Sequence, residues 1–201
     1  MSRPRPRRLL FVVTGAIAAA DSPVWANMLR GHFQAEVRML LTQQGARMVS
    51  AQALSAITGQ PVAGPDWNPD QSGGAQHVAL ATWADVVLVA PATLNFCAKL
   101  AAGISDDLAT SAVTSSTVPV VLAPSIPTGA AEKPATRRTL ATLSSDGYVI
   151  APPGRALSVT SGQVEEGGPA ALEDVAKLLA LHGLGAGTER PRHREQGGDN
   201  T

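Results

Sequence analysis

The run Val86-Val87-Leu88-Val89-Ala90, closed in by Asp85 and Pro91, limits the fold more than any other stretch of the chain. It is apolar at every position and rich in β-branched residues, so it has no polar face to turn to water. It is also far shorter than the roughly 18 apolar residues of a membrane span. A strand buried on both faces belongs to a parallel sheet with helices packed on each side. Leu9–Val13 repeats the pattern and ends at Thr14-Gly15, and Glu36–Leu41, Val118–Ala123 and Tyr148–Ala151 supply further strands. Between them the spacing predicts helices at Ser22–Arg30, from the cap Thr42 to Ile57, and at Val78–Trp83, Leu94–Ala101, Asp107–Ser115, Lys133–Ser145 and Ala171–His182. Ser22-Pro23 is a helix start, a cap followed by a first-turn proline. Pro91 is expected to stop its strand. The alternation gives an α/β protein, a doubly wound parallel sheet in a single domain.

The 201 residues suit one domain with tails, placed at 9–184, with disordered segments at 1–8 and 185–201. The 16 basic and 16 acidic side chains cancel only because Arg3, Arg5, Arg7 and Arg8 crowd the start. Residues 9–184 hold 9 basic against 13 acidic side chains, an acidic body. Aromatics make up only 3%, too few for the stacking platforms of single-strand nucleic-acid binders, so no nucleic-acid partner is expected. No membrane partner is expected either. The apolar run Leu9–Ala20 mimics a signal peptide, but Gly15 interrupts it and Asp21 ends it. The one cysteine, Cys97, can form neither an internal disulfide nor a cysteine-rich zinc site, which suits the reducing cytoplasm.

In an open parallel sheet, ligands sit beyond the carboxyl ends of the strands. That edge collects the loops Thr14–Ala18, Thr42–Gln44, Pro91–Asn95 and Pro124–Gly129. Small residues in the first loop either let backbone N–H groups approach a phosphate or serve packing alone. Thr42 is either a phosphate donor or a plain helix cap. Asp106 and Asp107 read as a helix start rather than as catalytic groups. The stretch Thr58–Gly74 is rich in Pro, Gly, Asn and Asp and reads as a long surface excursion. Trp25 and Trp67 line a groove or a subunit contact, or simply anchor core and loop. His32, His182 and His193 take structural roles.

The ordered set Gly15-Ala16-Ile17-Ala18, His77-Val78, Pro91-Ala92-Thr93-Leu94-Asn95 and Gly103-Ile104-Ser105-Asp106 resembles the homo-oligomeric flavin-containing cysteine decarboxylases. That flavoprotein family includes phosphopantothenoylcysteine decarboxylase and the lantibiotic peptidyl-cysteine decarboxylases. The resemblance covers roughly residues 9–150 and implies a flavodoxin-like fold, FMN (or FAD) as cofactor, and a trimer or dodecamer with sites at subunit contacts. It implies that Gly15, Ala16, Ile17 and Thr42 hold the phosphate side of the flavin. Ala92, Thr93 and Asn95 would line the flavin, with His77 and Asn95 catalytic. Gly154–Gly168 would be a flap over the substrate.

Two departures from the family shape the functional expectation. The family's P-x-M-N-x-x-M-W motif, whose asparagine grips the substrate carboxylate, reads here Pro124-Ser125-Ile126-Pro127-Thr128-Gly129. Ser125, Thr128 or backbone N–H groups must take over the grip. The coenzyme A pathway members also carry a flap cysteine that protonates the enethiol while reduced flavin returns hydride. This chain has no cysteine after Cys97. The reaction should therefore stop at the oxidised product. A C-terminal cysteine has no electron sink β to its carboxylate; oxidising CH2–SH to a thioaldehyde creates one, and loss of CO2 then leaves an aminoenethiolate. An imidazole, with its pKa near neutral, suits the base or orienting role assigned to His77. The expected function is oxidative decarboxylation of the C-terminal cysteine of a ribosomal precursor peptide, feeding an aminovinyl-cysteine ring of a lanthipeptide-like product. The alternatives are phosphopantothenoylcysteine decarboxylase, a flavin prenyltransferase, or an inactive flavin-binding subunit.

Overall fold

The computed structural model describes residues 6–68, 74–157, 162 and 164–185. Five parallel strands form the main sheet: β1 (Arg8–Val13), β2 (Glu36–Leu41), β3 (Val86–Thr93), β4 (Val120–Ser125) and β5 (Val149–Ile150). Their order is β2-β1-β3-β4-β5, so the winding direction reverses between β1 and β3. Helices cover both faces: α1 (Ser22–Phe33), α2 (Ala51–Thr58), α3 (Gln76–Trp83), α4 (Leu94–Ala101), α5 (Leu108–Thr114), α6 (Thr128–Ala131), α7 (Pro134–Ser145) and α8 (Leu172–Leu179). This is the flavodoxin-like arrangement expected.

Period-2 alternation splits each apolar strand between two cores. Phe11, Leu88 and Val121 face the layer of α1, α2 and α8, while Leu10, Val12, Val87, Val89 and Leu122 face the layer holding α3, α4, α5 and α7. All eight are wholly buried, each contributing about 1.5–3 kcal/mol of transfer free energy.

Several expectations are corrected. Arg8 is not part of a disordered head: it opens β1, with its N–H on the Asp85 carboxylate at 3.0 Å and its guanidinium 3.8 Å from Glu36. Residues 1–5 of that head and 186–201 of the tail lie outside the described residues. The helix expected from Thr42 to Ile57 is a short 3-10 turn, Gly45–Arg47, and then α2, which is capped by Ser50 through its hydroxyl and the Ala53 N–H. Pro91 does not end β3. Pairing with β4 shifts register between Val89 and Ala92 and then resumes at Ala92–Pro124 and Thr93–Ser125. A proline lacks the N–H for one ladder bond, and the shift absorbs that loss. Gly154–Gly168 contains a feature the sequence reading missed, an antiparallel hairpin of β6 (Gly154–Leu157) and β7 (Val164–Gly168). Asp107 caps α5 as expected, in a reciprocal capping box with Thr110. Asp106 pairs with Lys99 at 2.9 Å, which holds its carboxyl below the usual carboxylate range. Among the described residues no helix is long and apolar enough to cross a membrane.

Candidate active site

The four loops meet at the carboxyl edge because the strands before them are parallel and adjacent. One hydroxyl ties two of them together at the switch point. Thr14, 2% exposed, donates through Oγ1 to the Pro91 carbonyl at 2.6 Å and accepts the Thr93 N–H at 3.1 Å. Thr14→Val keeps the volume but leaves a buried carbonyl and a buried N–H without partners. Thermal or denaturant unfolding should show a loss of about 2–4 kcal/mol; a loss below about 0.5 kcal/mol would contradict this role of the hydroxyl.

The first and second loops approach more closely than side chains permit. A Cβ on Gly15 would lie 2.2 Å from Gln44 Cβ, and one on Gly45 would lie 2.3 Å from the Val13 carbonyl oxygen. Beyond Gly15 the chain enters a 3-10 turn, Ile17–Asp21, whose leading N–H groups have no acceptor within the turn. Unpaired leading N–H groups beside two loops packed this tightly suit the phosphate end of a flavin mononucleotide. Ile17 is 59% exposed beside it. Thr42 stands in the same cluster, but its hydroxyl is engaged inside the loops. It donates to the Val13 carbonyl at 3.3 Å and accepts the Gly45 N–H at 3.1 Å. Thr42 is therefore not the cap expected: Ser50 caps α2, and the Thr42 hydroxyl instead holds the Gly45 N–H ahead of the 3-10 turn.

In the third loop, Thr93 Oγ1 accepts the Phe96 N–H at 3.4 Å and caps α4, and Asn95 is exposed on the first turn of that helix. Ala92 has no accessible surface and packs in the core, so it supports the loop rather than lining a ligand. Thr93 pairs in register with Ser125. The expected cofactor loop and substrate loop are thereby neighbours, with Ser125 half-buried and Thr128 exposed at the start of α6.

His77 is the second residue of α3. The far end of α3 runs through Ala84 and Asp85 into β3 at the amino edge, so its first turn lies toward the carboxyl edge with the loops. Nδ1 of His77 is buried without a hydrogen-bond partner among the described residues, and its ring meets Trp67 edge-on at 5.4 Å. Sequence reasoning did not foresee this pairing, because ring contacts leave no periodic trace. It also missed a small cavity of about 20 Å³ between Ser22, Trp25, Ala90, Pro91 and Pro169. The Ser22 hydroxyl in its wall is buried without a partner among the described residues.

Cys97 lies on α4 under the third loop, wholly buried, with its Sγ 4.0 Å from the Ala92 carbonyl. Burial pushes the thiol up to about 12. Its ionised form is therefore nearly absent at neutral pH, which excludes a role as a nucleophile. An aromatic disulfide reagent at about pH 8 should leave native protein untouched and titrate one thiol per chain only after denaturation.

The sheet order and the stitched loops define a doubly wound α/β protein whose loops gather at its β1/β3 switch point. The chain belongs to the Flavoprotein family, whose model matches residues 2–182. It is 31% identical over 176 residues to the coenzyme A biosynthesis bifunctional protein CoaBC of Bacillus subtilis, covering 88% of this chain and 43% of that protein. The chain thus spans about two fifths of the length of the curated relatives it matches. Among solved structures it is similar to the FMN-dependent cysteine decarboxylase SpaF, at 34% identity and a TM-score of 0.75, over 87% of this chain and 96% of that one. It is also similar to TvaF, an FMN-dependent cysteine decarboxylase from thioviridamide biosynthesis, at 32% identity and a TM-score of 0.65, over 72% and 89% of the two chains.

Proposed function

We propose that this chain binds FMN and oxidatively decarboxylates the C-terminal cysteine of a precursor peptide, releasing an aminoenethiol. The observation that carries this reading over the coenzyme A pathway reaction is the state of its one cysteine. Cys97 is locked in the core with its thiol pushed up to about 12, so it cannot serve as the proton donor that a return of hydride would require. The likeness to SpaF and TvaF supports cysteine as the substrate group.

Bound FMN supplies the two-electron oxidation of the cysteine CH2–SH group. The chain's own residues hold and orient. Gly15, Ala16 and Ile17 cradle the phosphate end, with Thr42 closing the loop beneath them. Thr93 and Asn95 present the third loop to the ring system. Ser125 and Thr128 offer hydroxyl donors to the substrate carboxylate at the place where Pro127 can donate nothing. His77 takes or orients the proton of the reacting cysteine through Nε2, since Nδ1 is buried. The enzyme works as a homo-oligomer.

Purified protein loaded with FMN and incubated with peptides ending in cysteine should give a mass loss of about 46 Da, CO2 plus two hydrogens. A loss of about 44 Da from phosphopantothenoylcysteine, with peptides untouched, would assign the chain instead to the non-oxidative reaction that its CoaBC likeness supports. A protein that takes up no flavin would defeat both readings.

A further inference from the structure

We propose that Trp67 is the positioning residue for His77, holding the imidazole in its working orientation by ring packing where a hydrogen bond would ordinarily do so. This rests on the catalytic reading of His77. The usual way to fix a catalytic imidazole is a hydrogen bond from one ring nitrogen to a carboxylate or a carbonyl. Among the described residues, none is seen at Nδ1 of His77, which is buried and unpartnered. The contact that remains is the indole of Trp67, 5.4 Å between centroids and 80° between planes, which is the favoured edge-to-face geometry.

The segment bearing Trp67 is anchored on both sides. Upstream, Ala63 bridges to the outer edge of β2: its N–H donates to the Met39 carbonyl at 2.9 Å, and its carbonyl accepts the Leu41 N–H at 3.0 Å. Gly64 then turns at φ +74° with its Cα packed against Leu41, where a Cβ would lie 2.2 Å from the carbonyl oxygen. Downstream, the Asn68 N–H donates to Oε1 of Gln76 at 2.7 Å, and Gln76 is itself 4% exposed and immediately precedes His77. Trp67 is thus held between a strand edge and the first residue of the helix that carries the imidazole. Its side chain is 49% exposed, but the backbone that carries it is anchored at Ala63 and at Asn68.

The test compares Trp67→Ala with Trp67→Phe, which keeps an aromatic edge. In FMN-loaded enzyme acting on a cysteine-terminated peptide, Trp67→Ala should lose about tenfold or more in kcat with KM little changed, and Trp67→Phe should recover most of it. Independently of turnover, the His77 Hε1 proton resonance should carry a ring-current shift in the parent and in Trp67→Phe, and lose it in Trp67→Ala. An unmoved resonance, or full kcat in Trp67→Ala while His77→Asn is inactive, would overturn the proposal. If the parent turns over no cysteine substrate, the functional reading fails, and the resonance comparison still decides whether Trp67 holds His77.

Discussion

Replacing His77 with asparagine is expected to cut turnover of a cysteine-terminated peptide by about 10²–10⁴-fold while the protein still purifies yellow and folded. The side chain stands half-buried on the first turn of α3, edge-on to Trp67, with Nδ1 unpartnered among the described residues. Its loss removes little that holds the fold together, so stability should change by less than about 1 kcal/mol. Asparagine retains polarity but cannot exchange a proton near neutral pH. Activity within threefold of the parent, at equal flavin content, would remove His77 from the reaction.

Gly15→Ala is expected to have the largest effect on cofactor retention. The new methyl would lie 2.2 Å from Gln44 Cβ, a side-chain root that cannot swing aside. The first and second loops must therefore part, and the cost of such overpacking is about 1–3 kcal/mol. Because the displaced backbone is the proposed phosphate cradle, FMN affinity should fall about tenfold or more, each tenfold being about 1.4 kcal/mol. Fluorescence titration of apoprotein with FMN measures this directly, and an unchanged dissociation constant would show that the loop does not hold the cofactor.

The sheet was legible because burial on two faces leaves an unmistakable local signature. Val86–Ala90 and Leu9–Val13 have no polar position, and the structure places both at its centre, side by side. The positions of the loops followed from parallel order alone. The hairpin β6–β7 was not legible, since two short strands paired only to each other carry no sheet-wide apolar pattern. The break of the Thr42–Ile57 helix into a turn and α2 escaped for a related reason. Ser50 competes with Thr42 as a cap, and which one starts the helix depends on Gly45 being drawn onto the Val13 carbonyl, a long-range contact. The same applies to the site. His77 and Asn95 could be picked out by motif, whereas the engagement of the Thr42 hydroxyl and the burial of Ala92 depend on register between strands far apart in sequence.

Cys97 has a consequence for the durability of such a catalyst. Where O2 regenerates the cofactor, a peptide thiol or enethiol and an accessible protein thiol can be oxidised together to a mixed disulfide, giving up two electrons and two protons to that oxidant. A decarboxylase with an exposed cysteine would be open to such capture by its own reactants. Here the sole sulfhydryl of the chain is sealed beneath the third loop and stays protonated. Under the proposed reaction, the protein handles substrate thiols without presenting one of its own.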